Sequence, residues 1–152
     1  MPYQHPVTAG APDPDASPVG IWRLLAFELE IEGRTERRHP LGRSPRGRLV
    51  LTADGFMIGM IVAAERTPGR TDAELAALFR TMLAYTGRYR LEGDRFVTTV
   101  DASWNEAWTG TEQARTFALD GDRLAIVSPW APHPLKPEAP AARGILRWVR
   151  ES

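Results

Sequence analysis

GRLVLTADGFMIGMIVAA, residues 47–64, decides how this chain is read. An apolar run over residues 47–52 meets Ala53-Asp54-Gly55, and a second apolar run continues from Phe56 to Ala64. Asp-Gly between two such runs predicts a β-hairpin, because glycine takes a positive φ at little cost. The second strand is apolar on both faces. Phe56, Ile58, Met60 and Val62 share one, and Met57, Ile61 and Ala63 share the other. A strand of that kind is expected to be covered on both sides. Its pattern does not say which face looks inward, and Phe56 and Met60 are taken as the ligand-facing pair.

Strands and tight turns extend on both sides of the hairpin. Residues 21–31 are rich in strand formers and end at Gly33. Residues 34–46 are basic and turn-rich. After the hairpin, Thr71 and Glu74 fit a capping box, in which each side chain satisfies a backbone donor at a helix start. Leu75, Leu78, Phe79, Met82 and Leu83 then recur at helical spacing, which predicts one amphipathic helix of about three turns, with its stripe in the core and its end near Gly87. Strands are expected at 88–91, 95–104, 111–119, 123–128 and 144–150, with turns at Glu92-Gly93-Asp94 and Asp120-Gly121-Asp122. A proline-rich loop, 129–142, precedes the last strand. Seven or eight short strands and one helix point to a β-meander, and closing it into a barrel removes its exposed edges.

Bulk properties narrow the partners. The 152 residues suggest one domain. Residues 1–18, with five prolines, are expected to form a disordered or extended lead-in to a barrel domain over 19–152. Lys and Arg number 19 and so do Asp and Glu. That balance speaks against nucleic acid, which needs a basic surplus. No run approaches the roughly 18 apolar residues of a membrane span. Cysteine is absent, which excludes disulfides and thiolate chemistry and suits a cytoplasmic location. His5, His39 and His133 each neighbour proline and show no metal-ligand spacing. No phosphate loop or dinucleotide fingerprint is present, so neither a cofactor nor a metal is expected.

Several motifs, taken in order, carry a family resemblance. They are Gly20-Ile21-Trp22-Arg23-Leu24, Pro45-Arg46-Gly47-Arg48-Leu49, Thr52-Ala53-Asp54-Gly55-Phe56 and Tyr85-Thr86-Gly87-Arg88-Tyr89. Gly110-Thr111-Glu112-Gln113-Ala114-Arg115, Leu119-Asp120-Gly121-Asp122-Arg123-Leu124 and Leu146-Arg147-Trp148-Val149-Arg150 complete the series. Over residues 20–150 the chain resembles the lipocalin-like domain family of bacteria and fungi. The resemblance implies an all-β fold, an up-and-down antiparallel eight-stranded barrel with an interior ligand site. It implies no single reaction. It also implies that Trp22 packs against an arginine of the last strand, Arg150 or else Arg147.

Side chains alternate along a strand. Asp101 and Ser103 are therefore expected on one face. Gln113, Arg115, Phe117 and Leu119 share a face of the next strand, and Phe117 and Leu119 suggest that it points inward. Asp101 would then pair with Arg115, since an unpaired buried charge costs several kcal/mol. This predicts a polar cluster of Asp101, Ser103, Gln113 and Arg115 in an apolar cavity; a structural ion pair at the rim is the alternative. Trp104 and Trp108 flank a turn where they would grip a planar ligand or cap the core. Tyr85 and Tyr89 are hydrogen-bond donors for a ligand carbonyl, or core fillers.

Two functions follow. One is a cofactor-free cyclase, isomerase or dehydratase acting on a hydrophobic, polyketide-like molecule of a natural-product pathway. In it Asp101 moves a proton while Arg115, Gln113 or Tyr89 stabilises negative charge on oxygen. The other is a non-catalytic carrier or sequestering protein for the same class of ligand. A third reading is a barrel filled by its own side chains. A homodimer is left open.

Overall fold

The computed structural model describes residues 17–132 and 138–151. Of the expected lead-in only Ser17 and Pro18 belong to that range. His5, His133 and the middle of the proline-rich loop lie outside the described residues.

Eight strands are formed among the described residues: β1 (Gly20–Ile31), β2 (Arg46–Leu51), β3 (Phe56–Val62), β4 (Met82–Glu92), β5 (Arg95–Ser103), β6 (Glu112–Asp120), β7 (Arg123–Val127) and β8 (Ala142–Arg150). Each pairs antiparallel with the next, and β8 closes on β1. Among the described residues every strand therefore has a neighbour on both sides. A helix, α1 (Asp72–Arg80), interrupts the path from β3 to β4, and a single 3₁₀ turn, Glu106–Trp108, joins β5 to β6. No helix of the described residues is long and apolar enough to cross a membrane.

The hairpin forms as its sequence predicts. Gly55 stands at φ +91°, the Thr52 amide donates to the Phe56 carbonyl at 2.9 Å, and Leu51 faces Met57. The face choice on β3 is the reverse of that expected. Met57, Gly59 and Ile61 are buried inside the barrel, while Phe56, Ile58 and Met60 remain 41%, 51% and 49% exposed. The strand is therefore covered on one side only. The Arg88 guanidinium lies over the Phe56 ring at 4.3 Å and shields part of the outer face.

The capping box on α1 is present. The Glu74 amide donates to Thr71 Oγ1 at 3.2 Å, and Glu74 Oε2 accepts from the amides of Arg70 and Thr71. These bonds hold the Glu74 carboxyl below the usual range. The expected core stripe does not form. The helix ends at Arg80, none of its residues is buried, and Met82 and Leu83 belong to β4. Gly87 stands in the middle of β4 rather than at a helix end. There a Cβ would collide with the Thr99 carbonyl oxygen, so the close approach of β4 and β5 requires glycine.

One end of the barrel is plugged. Trp22 is fully buried and donates from Nε1 to the Pro18 carbonyl at 2.8 Å. Arg150 stacks on it at 4.3 Å and donates to the carbonyls of Val19 at 2.6 Å and Ser17 at 2.8 Å. Leu24, Leu51, Leu124 and Trp148 pack in the same core cluster. Burial of each such side chain contributes about 1.5–3 kcal/mol. The loops at the other end carry α1, the 3₁₀ turn and the described flanks of the proline-rich segment, and there the barrel opens.

Candidate functional site

The barrel interior above this plug is a cavity of about 1110 Å³. That exceeds the usual range of roughly 300–1,000 Å³ for small-molecule sites, so one ligand of that size has room. Its walls come from inward faces of successive strands: Phe27 and Leu29 on β1, Met57 and Ile61 on β3, Leu146 and Trp148 on β8. Gly59 explains part of the space. It faces inward between Met57 and Ile61, and a Cβ there would meet only Leu49 Cδ1 at 3.6 Å and Met57 Cε at 3.9 Å. A side chain fits at this position, and the sequence places none.

The polar part of the wall lies on β6. Arg115 and Gln113 both line the cavity and are half-buried. Arg115 donates to the Ala114 carbonyl at 2.8 Å and to Gln113 Oε1 at 3.2 Å. Gln113 Nε2 donates to Thr111 Oγ1 at 2.9 Å, and that hydroxyl donates to the Trp108 carbonyl at 2.7 Å. The order follows from the chemistry of the groups. Arginine only donates, so the amide oxygen of Gln113 faces it and the amide nitrogen turns to Thr111. The relay fixes the guanidinium from behind without using all five of its N–H groups.

Aromatic rings frame this cation. The Arg115 guanidinium lies 5.7 Å from the Trp108 ring. Trp108 packs edge-on against Tyr85 at 5.3 Å and against Trp104 at 5.1 Å. Burial pushes the Tyr85 hydroxyl up, and the positive charge of Arg115 opposes part of that rise. Tyr85 therefore keeps its proton at neutral pH. It lines the cavity, and among the described residues its hydroxyl makes no hydrogen bond to protein.

Asp101 does not join this cluster. It is exposed on the outer surface, where it accepts a hydrogen bond from the Thr86 hydroxyl. The reason is strand parity: Phe96, Thr98 and Val100 are the inward residues of β5, so Asp101 points outward. A β-bulge follows, in which Gly87 pairs with Val100 but Thr86 pairs with Ala102, so Asp101 is the extra residue. Strand alternation breaks there, and Asp101 and Ser103 do not share a face. Below the bulge, Phe96 faces Arg115 and Thr98 faces Gln113 across β5 and β6, which leaves Asp101 on the side opposite Arg115. Among the described residues Arg115 forms no ion pair.

The other expected site residues divide. Trp108 and Gln113 line the cavity beside Arg115. Trp104 stands behind Trp108, and Phe117 packs against the core cluster. Ser103 Oγ accepts from the Asn105 amide at 3.3 Å and so shapes the turn. Tyr89 donates its hydroxyl to the Thr52 carbonyl at 2.6 Å near the plugged end, which commits that hydroxyl to the protein. Phe56 and Met60 lie outside, as described above.

The mouth was not foreseen. Arg34, Arg38 and His39 from the β1–β2 loop and Arg143 from β8 line the cavity entrance, facing Pro129, Pro132 and Pro140. The β1–β2 loop is tied down by pairing of Leu29 with Arg38 and by Arg37, which bonds Glu28 at 2.6 Å and Glu30 at 2.9 Å. Arg143 bonds Glu30 at 2.6 Å and stacks on Trp130 at 4.7 Å. The Arg143 bond, aided by Arg37, holds the Glu30 carboxyl below the usual range. The available signal was the basic run 34–46, but sequence alone did not connect it with the barrel interior.

Comparison with known proteins agrees with this architecture. No curated protein matches the chain in sequence. Among solved structures, it is similar to an uncharacterized protein from Bacteroides eggerthii DSM 20697. That match has 13% identity, covers 85% of this chain and 97% of that one, and has a TM-score of 0.39, too low to carry an argument. The sequence profile of the lipocalin-like domain matches residues 19–151, nearly the whole chain. The chain therefore belongs to the lipocalin-like domain family.

Proposed function

We propose that this barrel binds one small, largely apolar molecule without transforming it, as a carrier or sequestering protein. The observation that carries the reading is the apolar cavity of about 1110 Å³, closed below by Trp22 and Arg150 and open at the opposite end. A few convergent polar groups on an apolar wall are how such sites orient a ligand. The cyclase, isomerase or dehydratase reading needs a group that moves a proton. Asp101, its intended proton carrier, stands outside the barrel. Arg115 offers hydrogen-bond donors only, and burial raises Tyr85 away from neutrality. These groups favour holding an oxygen over exchanging protons with it.

Titration with Nile red, a neutral solvatochromic dye, tests the proposal. Saturable one-to-one uptake with a blue-shifted emission is expected, and mass spectrometry should recover molecules bound from a host extract unchanged. Absence of dye uptake, or conversion of a bound species in proportion to protein, would overturn it.

A further inference from the structure

We propose that the natural ligand is an apolar carboxylic acid whose carboxylate seats on Arg115 inside the barrel. The inference rests on the binding reading above and adds the class of ligand. Three observations carry it.

The first is the charge of the cavity wall. Among the described residues four arginines, Arg34, Arg38, Arg115 and Arg143, and His39 line it, and no Asp or Glu does. The whole chain is formally neutral, so this one-sided distribution is local. Arg143 is neutralised by Glu30 at 2.6 Å. Arg34, Arg38 and Arg115 have no carboxylate partner among the described residues.

The second is the state of Arg115. A half-buried cation among apolar walls is costly without a counter-charge. Asp101, the one acidic side chain of β5, points outward with the alternation of the strand and gives Arg115 no counter-charge. Two protein acceptors, the Ala114 carbonyl and Gln113 Oε1, take two of the five guanidinium hydrogens. The remaining donors match a planar oxyanion, and the Tyr85 hydroxyl on the neighbouring wall supplies one more. One deep cation balances one negative charge. That favours a carboxylate over a phosphate dianion.

The third is the order of groups along the cavity. Arg34, Arg38 and His39 stand at the entrance, Arg115 stands within, and the deeper wall of Leu49, Phe96, Ile126 and Trp148 is apolar. The entrance cations attract an anion and raise its rate of encounter. The apolar depth then takes the hydrocarbon body.

The experiment displaces Nile red with lauric acid, methyl laurate and dodecanol, which share an alkyl chain and differ in the head group. Lauric acid is expected to displace the dye about ten- to a hundredfold more strongly than the ester or alcohol, the range for hydrogen bonds to a charged group. Arg115→Gln should abolish that preference, read as the ratio of acid to ester displacement on the same protein so that any change in dye affinity cancels. Arg115→Lys should keep part of it. Equal displacement by acid and ester, or a preference that survives Arg115→Gln, would overturn the inference. Failure of the wild-type protein to take up Nile red would instead overturn the binding reading beneath it. Should Arg115→Gln fail to fold, the wild type still decides. The acid preference must vanish below the acid's own pKa, and a preference unchanged there would refute the role of charge.

Discussion

Substituting Gly59 by leucine separates a cavity that exists to be filled by ligand from one that the fold needs empty. A Cβ at this position meets Leu49 Cδ1 at 3.6 Å and Met57 Cε at 3.9 Å, ordinary contact distances, and the backbone is not in the left-handed region. A side chain therefore enters without strain. Loss of glycine freedom in the unfolded chain contributes about 0.4–1 kcal/mol. Each further methylene buried against Met57 and Ile61 adds up to about 0.8 kcal/mol, less the rotamer entropy of leucine of about 0.5–1 kcal/mol. The net is a gain of about 1 kcal/mol in the empty protein. For a domain of this length that raises the melting temperature by about 2–4 °C. The same side chain stands where the ligand would lie, so Nile red affinity should fall at least tenfold. The assay pairs a thermal melt with a dye titration on both proteins. A variant that melts lower, or binds dye as the wild type does, would refute the placement of Gly59 on an open cavity wall.

Three further outcomes are expected. Arg150→Met removes the stack on Trp22 and two bonds to the carbonyls of Ser17 and Val19, and should cost about 2–3 kcal/mol, read as a urea midpoint lowered by about 1 M with unchanged slope. Asp101→Asn loses only an exposed contact with Thr86, so it should cost under about 1 kcal/mol and leave dye affinity within about twofold; a larger loss of binding would restore Asp101 to the site. Glu30 and Glu74 have carboxyls held low in the folded state, so their contribution is present above the unfolded value of about 4.3 and is lost as pH falls through the folded value. Urea midpoints should therefore fall on acidification below about pH 4.3, and Glu74→Gln, which keeps the cap without titrating, should remove part of that fall.

The cavity site was partly legible in the chain. Arg115, Gln113 and Trp108 could be assigned to one region because Phe117 and Leu119 share the face of Gln113 and Arg115, and a strand with one apolar half points that face inward. From sequence, Tyr89 is preferred over Tyr85 to stabilise negative charge, and the structure favours Tyr85, which lines the cavity; both are aromatics with a hydroxyl, and nothing local marks the difference. Only the distance from Tyr89 to the Thr52 carbonyl, 2.6 Å, shows which hydroxyl is already committed.

What the amino-acid sequence determined by itself was local and short-range: the Asp54-Gly55 hairpin, the Thr71–Glu74 capping box, the strand series and the family motifs from Trp22 to Arg150. Each depends on residues within a few positions of one another, where backbone sterics and short hydrogen bonds decide. The tertiary structure alone decided three other things. It turned Phe56 and Met60 outward, because a strand apolar on both faces carries no parity signal until barrel closure sets one. It placed Asp101 outside, because the register that sets Phe96 and Thr98 beside Arg115 and Gln113 turns the even-numbered residues of β5 up to Val100 inward, a choice that Phe96, Val97 and Val100, apolar at both parities, leave open in the sequence. It also brought Arg34, Arg38 and His39 to the same opening as Arg115. About half the chain separates the first three from Arg115, and only the closed ring of strands makes them neighbours.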